Sequence, residues 1–177
     1  MTEVPIVQSS EMIHEGYFNV RTDLLQRDGN TLHYTVVQTG CDAAVILAQD
    51  EKKRLIINSE YRHPVGKYIL SSPGGRVEKG EDPEVCAKRE LLEETGYEIE
   101  KLQLIGSSYP LPAICDQKIY YFFCDHARKV QEPKRDPFEY MKTILIPEEE
   151  LLKLISEGAE IDGVLCTALH FKRLIIK

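Results

Sequence analysis

Three glutamates and one arginine stand within six residues near the middle of the chain, in the run Arg89-Glu90-Leu91-Leu92-Glu93-Glu94. If this run is helical, Glu93 and Glu94 lie within roughly 60° of Glu90, and the two leucines point elsewhere, into a core. Like charges three and four residues apart on a helix repel each other. A hard divalent cation such as Mg²⁺ takes oxygen ligands and would relieve that repulsion. The run therefore predicts a cation site.

The alternative is an acidic helix face exposed to water, which is the usual meaning of a charge run. We predict that the helix begins at Asp82 and Pro83, directly after a Gly-Gly turn and loop, and ends before Gly96. The glutamates then lie in its C-terminal half, where the helix dipole disfavours negative charge. Because this placement requires a compensating ligand, we favour the cation site.

Length and composition bound the class of protein. The chain has 177 residues, 42% hydrophobic and 29% charged, which predicts one domain with a sizeable core and a small N-terminal addition. Its formal net charge of -7 argues against non-specific binding to nucleic acid or to anionic membranes. The five scattered cysteines contain no C-x-x-C motif, and the sequence has neither a secretory signal nor a membrane-spanning apolar stretch. We expect a cytoplasmic protein.

The N-terminal part, residues 1–40, predicts a β-hairpin. After a frayed start at residues 1–10, residues 15–39 show a strand pattern on both sides of the turn signal Asp28-Gly29. A hairpin alone has too little core to be stable and must pack on something. We therefore expect this element to mediate formation of a homodimer.

The remaining residues, 41–177, predict a mixed β-sheet between helices, because strands precede and follow one central helix and two helices end the chain. The strands are predicted at 43–48, 54–61, 68–70, 99–108, 118–125 and 140–146, and the helices at 83–95, 147–157 and 163–174.

The stretch Gly75–Tyr97 fits the pattern G-x5-E-x7-R-E-U-x-E-E-x-G-U, where U is a bulky aliphatic residue, and departs from it only at Tyr97. It resembles the Nudix box of the Nudix hydrolases, and eight matching positions make the signal specific. The resemblance implies an α/β fold, a Nudix-type α/β/α sandwich with a mixed sheet. It also implies Mg²⁺- or Mn²⁺-dependent hydrolysis of a nucleoside diphosphate linked to another group.

The resemblance also implies roles for individual residues. The metal-binding positions of the box match Gly74, through its backbone carbonyl, and Glu90, Glu93 and Glu94. Arg89 and Glu81 match the pair that orients these glutamates. We therefore expect Glu90, Glu94 and Arg89 to be catalytic.

The flanking sequence resembles ADP-ribose pyrophosphatases and related nucleotide-sugar hydrolases. The run Tyr61-Arg62-His63-Pro64-Val65-Gly66, Pro112 and the two-helix ending match that group. This implies a nucleoside diphosphate sugar as substrate, with ADP-ribose first. One position departs from the group: Ser71 replaces a glutamate that helps to hold the adenosine part, so another nucleotide sugar stays open. A nucleoside triphosphate pyrophosphatase and a non-catalytic module that senses a nucleotide sugar are the alternatives.

Two further groups of residues are candidates for substrate binding. Arg62 suits a phosphate contact, because its guanidinium can bond two oxygens; the alternative is a surface ion pair. Tyr17 and Phe18, on the predicted hairpin, suit stacking on a base bound by a partner subunit; the alternative is packing in a core.

The general base in this group often comes from a loop late in the chain. Glu139 ends a polar, proline-containing loop and is our candidate, with Glu132 and Asp136 as competitors. The alternative is a solvated loop charge.

Overall fold

The computed structural model describes residues 4–175, which group into two compact units. The first unit contains the described residues up to Asp42 together with Tyr109–Lys118. The second contains Ala43–Ser108 and the described residues from Ile119 onward. The Nudix-box stretch therefore lies entirely within the second unit.

The first unit contains an antiparallel sheet of three strands in the order β1-β2-β3. Its strands are β1 (Ile6–His14), β2 (Asn19–Arg27) and β3 (Asn30–Gln38). Asp28 and Gly29 both have positive φ, 51° and 78°, as a tight two-residue hairpin turn requires, so the predicted turn is confirmed. The frayed start predicted for residues 1–10 was wrong from Ile6 onward, and residues 1–3 lie outside the described part. Because every residue of β1 is exposed, its sequence has no buried face to reveal a strand.

The second unit contains a mixed sheet of eight strands. Its strands are β4 (Ala43–Asp50), β5 (Leu55–Arg62), β6 (Lys67–Ser71), β7 (Gly74–Arg76), β8 (Tyr97–Glu98), β9 (Gln103–Ser108), β10 (Ile119–Lys129) and β11 (Met141–Ile146). The central path runs β11-β5-β4-β10-β8, with β6 paired to β5, β7 to β4 and β9 to β10. The two central strands β4 and β10 are parallel, and the other described pairings are antiparallel.

Helices cover both faces of this sheet. The helices are α1 (Pro83–Thr95), α2 (Glu148–Ser156) and α3 (Gly163–Ile175). Leu91 of α1 belongs to one buried apolar cluster, with Ile46 and Ile56, whereas Leu151 of α2 and Leu165 of α3 belong to the cluster on the opposite face. The α/β/α sandwich implied by the resemblance is confirmed. Within residues 4–175, none of the helices has the length and apolar character needed to cross a bilayer.

Candidate active site

Three polar side chains form a row across neighbouring strands of the second unit. Asn58 of β5 pairs with Thr143 of β11 on one side and with Ser71 of β6 on the other. Directly paired residues project from the same face of a sheet. Ile56, two residues before Asn58, packs in the cluster that contains α1, so the row lies on the α1 face. Asn58 and Ser71 are almost fully buried.

Glu94 of α1 is fixed against this row. Only 6% of the residue is exposed, and its Oε2 accepts hydrogen bonds from Asn58 Nδ2 at 2.8 Å and from the Gly74 backbone N–H at 3.2 Å. Burial, and after it the charge of Glu90, raises the pKa of Glu94 well above its usual range. The hydrogen bond from the Gly74 N–H opposes this rise in the pKa, and a positive charge nearby would oppose it further.

Arg89 holds three carboxylates at once. Its Nε and Nη2 donate to both oxygens of Glu81, at 2.9 and 3.0 Å, and its Nη1 donates to Glu90 at 2.8 Å and to Glu93 at 3.2 Å. Arg89 Nη2 also donates to the Arg76 carbonyl, which joins helix α1 to strand β7. The guanidinium therefore fixes where Glu90 and Glu93 stand on the helix.

Glycine at position 75 allows α1 to approach β7 closely. A Cβ atom on Gly75 would lie 2.3 Å from Glu90 Oε1, so a side chain there would displace the carboxylate. Burial raises the pKa of Glu90, and the hydrogen bond from Arg89 opposes this shift. The close approach places the Glu90 carboxylate beside the backbone of β7, next to Gly74.

The proposed metal ligands fit a divalent cation in their chemistry. Glu90, Glu93, Glu94 and the Gly74 carbonyl are hard oxygen donors, the type that Mg²⁺ and Mn²⁺ prefer. Within residues 4–175, no group of three His, Cys, Asp or Glu side chains is arranged to hold a metal as it stands. Arg89 bonds Glu90 and Glu93, whereas Asn58 and Gly74 bond Glu94. A cation would therefore compete with protein donors for these oxygens.

A later part of the chain, the capping segment (residues 129–135), pairs the carbonyls at the end of α1. The bonds run from Lys134 N to Glu93 O (2.7 Å), Arg135 Nε to Glu94 O (2.9 Å), Lys129 Nζ to Thr95 O (2.9 Å) and Val130 N to Gly96 O (3.0 Å). Two of these donors are cationic side chains at the negative end of the helix dipole. The sequence predicts that a ligand compensates the negative charge at this helix end. These two cationic side chains supply part of that compensation.

Glycine at position 96 is needed for this contact. Its φ of +73° is left-handed, and a Cβ atom there would lie 2.0 Å from the Gln131 carbonyl oxygen. The predicted helix end at Gly96 is confirmed, as is the predicted N-cap, because Asp82 accepts a hydrogen bond from the Glu84 N–H at 2.8 Å.

Glu139 follows the capping segment and is coupled to the carboxylate cluster through its charge. Its Oε2 accepts a hydrogen bond from the Asp136 N–H at 2.9 Å. Burial is the main cause that raises the pKa of both Glu90 and Glu94, and the charge of Glu139 adds to it. The charge of Glu139 is among the larger contributions to these shifts. It therefore stays our candidate for the general base.

Arg62 lies at the end of β5, on the same face as Asn58. Its Nη1 donates to Glu60 Oε1 at 2.7 Å, while 46% of the Arg62 side chain is exposed. Burial raises the pKa of Glu60, and Arg62 opposes the shift. The ion-pair alternative is therefore realised here, in a side chain that is partly exposed to solvent.

Tyr17 and Phe18 lie in the first unit, between β1 and β2. Their rings meet edge to face with centroids 4.7 Å apart, and the two residues are 70% and 42% exposed. The core alternative does not hold for Tyr17 within the described part of the chain. Stacking on a base stays a prediction.

Sequence reasoning missed four polar residues of the site: Asn58, Glu60, Arg135 and Thr143. A signal for two of them was present, because Asn58, Glu60 and Arg62 occupy every second position of a strand that begins with three buried apolar residues. This alternation indicates a polar strip on one face. Arg135 and Thr143 have no such local signal.

The chain is similar to known proteins over most of its length. A family model described as NUDIX domain matches residues 40–165. An ADP-ribose pyrophosphatase of Bacillus subtilis is 31% identical over 75% of this chain and 72% of its own length. A methanol dehydrogenase activator of Bacillus methanolicus is 32% identical over 90% of both chains. A GDP-mannose pyrophosphatase of Cronobacter sakazakii is 26% identical over 84% of both.

A solved structure described as an ADP compounds hydrolase superposes with a TM-score of 0.87, over 98% of this chain and 95% of that one, at 20% identity. At this identity the likeness supports the fold alone. The family rests on the domain match, which spans most of the chain, and on the relatives above 30% identity. The chain therefore belongs to the Nudix hydrolase family.

Proposed function

We propose that this Nudix hydrolase cleaves the pyrophosphate bond of a nucleoside diphosphate sugar, with ADP-ribose as the first candidate, to give a nucleoside monophosphate and a sugar phosphate. The observation that carries the proposal is the pair of carboxylates on α1, the buried Glu94 and the half-buried Glu90, backed by the Arg89–Glu81 clamp. Relatives named ADP-ribose pyrophosphatase and GDP-mannose pyrophosphatase support this class of substrate.

Nudix hydrolases generally need a divalent metal, and we propose Mg²⁺ or Mn²⁺. Glu90, Glu93, Glu94 and the Gly74 carbonyl would hold it. When bound, the ion supplies neutralisation of the charge developing on the pyrophosphate and activation of the attacking water. Arg89 orients the glutamates.

Glu139 is proposed to accept the proton of the attacking water at its carboxylate. Its charge acts on Glu90 and Glu94, which supports a place near the reacting atoms. Proton transfer to a placed carboxylate is worth about 10²–10⁴-fold in rate.

Substrate selection is proposed to involve four residues outside the box: Arg62, Ser71, Tyr17 and Phe18. Arg62, whose side chain is partly exposed, would contact a phosphate through its guanidinium. Ser71 lies in the polar row beside Asn58, where a hydroxyl, with a single oxygen, cannot replace a carboxylate as a bidentate acceptor for the adenosine part. Tyr17 and Phe18 would stack on the base. These four residues do not decide between ADP-ribose and another nucleotide sugar as the substrate, so the choice is made by experiment.

The test is hydrolysis of a panel containing ADP-ribose, other nucleotide sugars and nucleoside triphosphates, with Mg²⁺ and with Mn²⁺, and with identification of both products. Release of a nucleoside monophosphate and a sugar phosphate supports the proposal. Strong turnover of triphosphates with none of nucleotide sugars would establish the triphosphate pyrophosphatase instead. Nucleotide-sugar binding without turnover of any compound would establish the sensing module.

We also propose that the enzyme is a cytoplasmic homodimer in which residues 1–40 form the dimerisation element. Support comes from the exposed apolar side chains on strands β1 and β3, among them Ile6, Ile13 and Leu32. A sheet of three short strands needs a hydrophobic face that is covered. Burial of these side chains against a second copy would provide that cover.

A further inference from the structure

Four hydrogen bonds connect the side chain of Glu94 back to its own main chain. Asn58 Nδ2 donates to Glu94 Oε2 at 2.8 Å, and Thr143 Oγ1 donates to Asn58 Oδ1 at 3.3 Å. Arg135 Nη2 donates to Thr143 Oγ1 at 2.8 Å, and Arg135 Nε donates to the Glu94 carbonyl at 2.9 Å. We name these three partners the Asn58–Thr143–Arg135 chain.

The direction of every bond in this chain is fixed by chemistry. An arginine side chain has only donors, so Arg135 forces the Thr143 oxygen to accept and leaves the Thr143 hydroxyl hydrogen free to donate. The hydroxyl then donates to the Asn58 carbonyl oxygen, which turns the Asn58 amide N–H toward Glu94. Loss of the Thr143 hydroxyl would remove the donor that fixes the orientation of the Asn58 side-chain amide.

Both ends of this chain of hydrogen bonds are tied to the second unit. Asn58 is 1% exposed and lies in β5 between its partners in β11 and β6. Arg135 belongs to the capping segment, which pairs the carbonyls at the end of α1. Paired groups in a hydrogen-bond network reinforce one another and restrict each other's orientation. Here Asn58 and Glu94 are buried, and Thr143 and Arg135 are half-buried. The Glu94 carboxylate is therefore held from the sheet and from the helix end together.

We propose that Asn58, Thr143 and Arg135 are positioning residues that hold the Glu94 carboxylate in the orientation needed to ligate the divalent cation. The proposal rests on the metal-dependent hydrolysis proposed above. Groups that hydrogen-bond to a metal-ligating side chain typically contribute 10–100-fold to metal affinity or activity.

The experiment compares Thr143→Val, which removes the hydroxyl at nearly constant shape, with Thr143→Ser, which keeps it. Mn²⁺ affinity of the purified protein is measured by isothermal titration calorimetry without substrate, and the melting temperature of each variant is recorded. We expect Thr143→Val to bind Mn²⁺ about 10–100-fold more weakly. We expect Thr143→Ser to stay within about threefold of wild type, because the bonds of the chain survive.

Thr167→Val is the matched control, because the Thr167 hydroxyl donates to the Gly163 carbonyl in α3, away from the site. It should leave Mn²⁺ affinity unchanged. A second pair, Arg135→Met and Arg135→Lys, repeats the test from the other end of the chain; the methionine variant should weaken Mn²⁺ binding, and the lysine variant should weaken it less. Steady-state kinetics of Thr143→Val at low Mn²⁺ should show a lower kcat with an unchanged KM for the nucleotide sugar.

Wild-type Mn²⁺ affinity in a folded Thr143→Val variant would overturn the proposal, as would equal losses in Thr143→Val and Thr143→Ser. So would a wild-type protein that binds no Mn²⁺. Failure of this proposal can be told apart from failure of the proposed function. If wild-type protein binds Mn²⁺ but cleaves no nucleotide sugar, only the substrate class is overturned. The difference in Mn²⁺ affinity between wild type and Thr143→Val would still stand.

Discussion

Arg89 donates to both carboxylate oxygens of Glu81, from Nε at 2.9 Å and from Nη2 at 3.0 Å. These hydrogen bonds are the largest cause that lowers the pKa of Glu81 to about 2. Glu81 precedes the N-cap of α1 and Arg89 lies in the middle of the helix, so the contact fixes the loop before α1 against the helix. The same guanidinium donates to Glu90 and Glu93. The Arg89–Glu81 contact therefore also fixes the positions of these two carboxylates.

The lowered pKa of Glu81 predicts how the stability of the fold depends on pH. Because its pKa in the folded chain lies below the ordinary 4.5, ionised Glu81 stabilises the fold above pH 4.5, and this contribution is lost as the pH falls from 4.5 toward 2. We expect Glu81→Gln to lower the free energy of unfolding at pH 7, with a smaller difference from wild type at pH 3. Urea unfolding at both pH values measures this. Glu84→Gln, which breaks only the exposed ion pair with Lys88, is the control. An equal difference at the two pH values would contradict the assignment.

Glu94→Gln removes a charge without changing the shape of the side chain. We expect turnover of the best nucleotide sugar to fall more than about 100-fold, because even the partners of a metal ligand contribute 10–100-fold. Burial raises the pKa of Glu94, so the metal-free variant should melt at the same temperature as wild type or higher. Kinetics and thermal unfolding of both proteins check this. Turnover within tenfold of wild type would exclude Glu94 as a metal ligand.

Glu139→Gln tests the general base. We expect kcat to fall about 10²–10⁴-fold, while KM and the Mn²⁺ affinity stay close to wild type. Glu132→Gln and Asp136→Asn change the two competing loop carboxylates and should keep most of the activity. If one of these controls lost more activity than Glu139→Gln, the base would have to be reassigned to that residue.

Leu32→Glu tests the homodimer. Leu32 of β3 is 57% exposed, and a charge there would oppose burial against a second copy. Light scattering should give twice the chain mass of 20.3 kDa for wild type and a single chain mass for the variant. Leu154→Glu, at an exposed leucine of α2 in the second unit, should leave the dimer intact. A wild-type mass of one chain would refute the homodimer.

Local sequence signals were sufficient for much of the fold. Asp82, Pro83 and Gly96 delimit α1 because capping depends on residues next to the helix ends. The sequence predicts a turn where β7 lies, because Gly74 and Gly75 are typical turn residues. The structure gives another reason for each glycine, since a Cβ atom would lie 2.4 Å from the Ala44 carbonyl oxygen at position 74 and 2.3 Å from Glu90 Oε1 at position 75. Strand β10 continues to Lys129, beyond the predicted end at residue 125.

The candidate site likewise has one part that local sequence signals predict and one part that they do not. The spacing of Glu90, Glu93 and Glu94 is contained within one helix, and their common face could be predicted from helical geometry. Asn58 lies 36 residues before Glu94, and Thr143 lies 85 residues after Asn58. These contacts depend on strand register in the sheet, which short-range patterns do not encode.

The capping segment has a consequence for the order in which the parts of the site form during synthesis. The carbonyls of Glu94 and Thr95 receive their partners from residues 41 and 34 positions further along the chain. During synthesis from the N-terminus, α1 is therefore made well before the groups that finish it. A nascent chain that stops before residue 129 contains all the box glutamates but has no finished helix end. We therefore expect the helix end that carries Glu94 to be fixed only after Arg135 has been made and has folded back onto it.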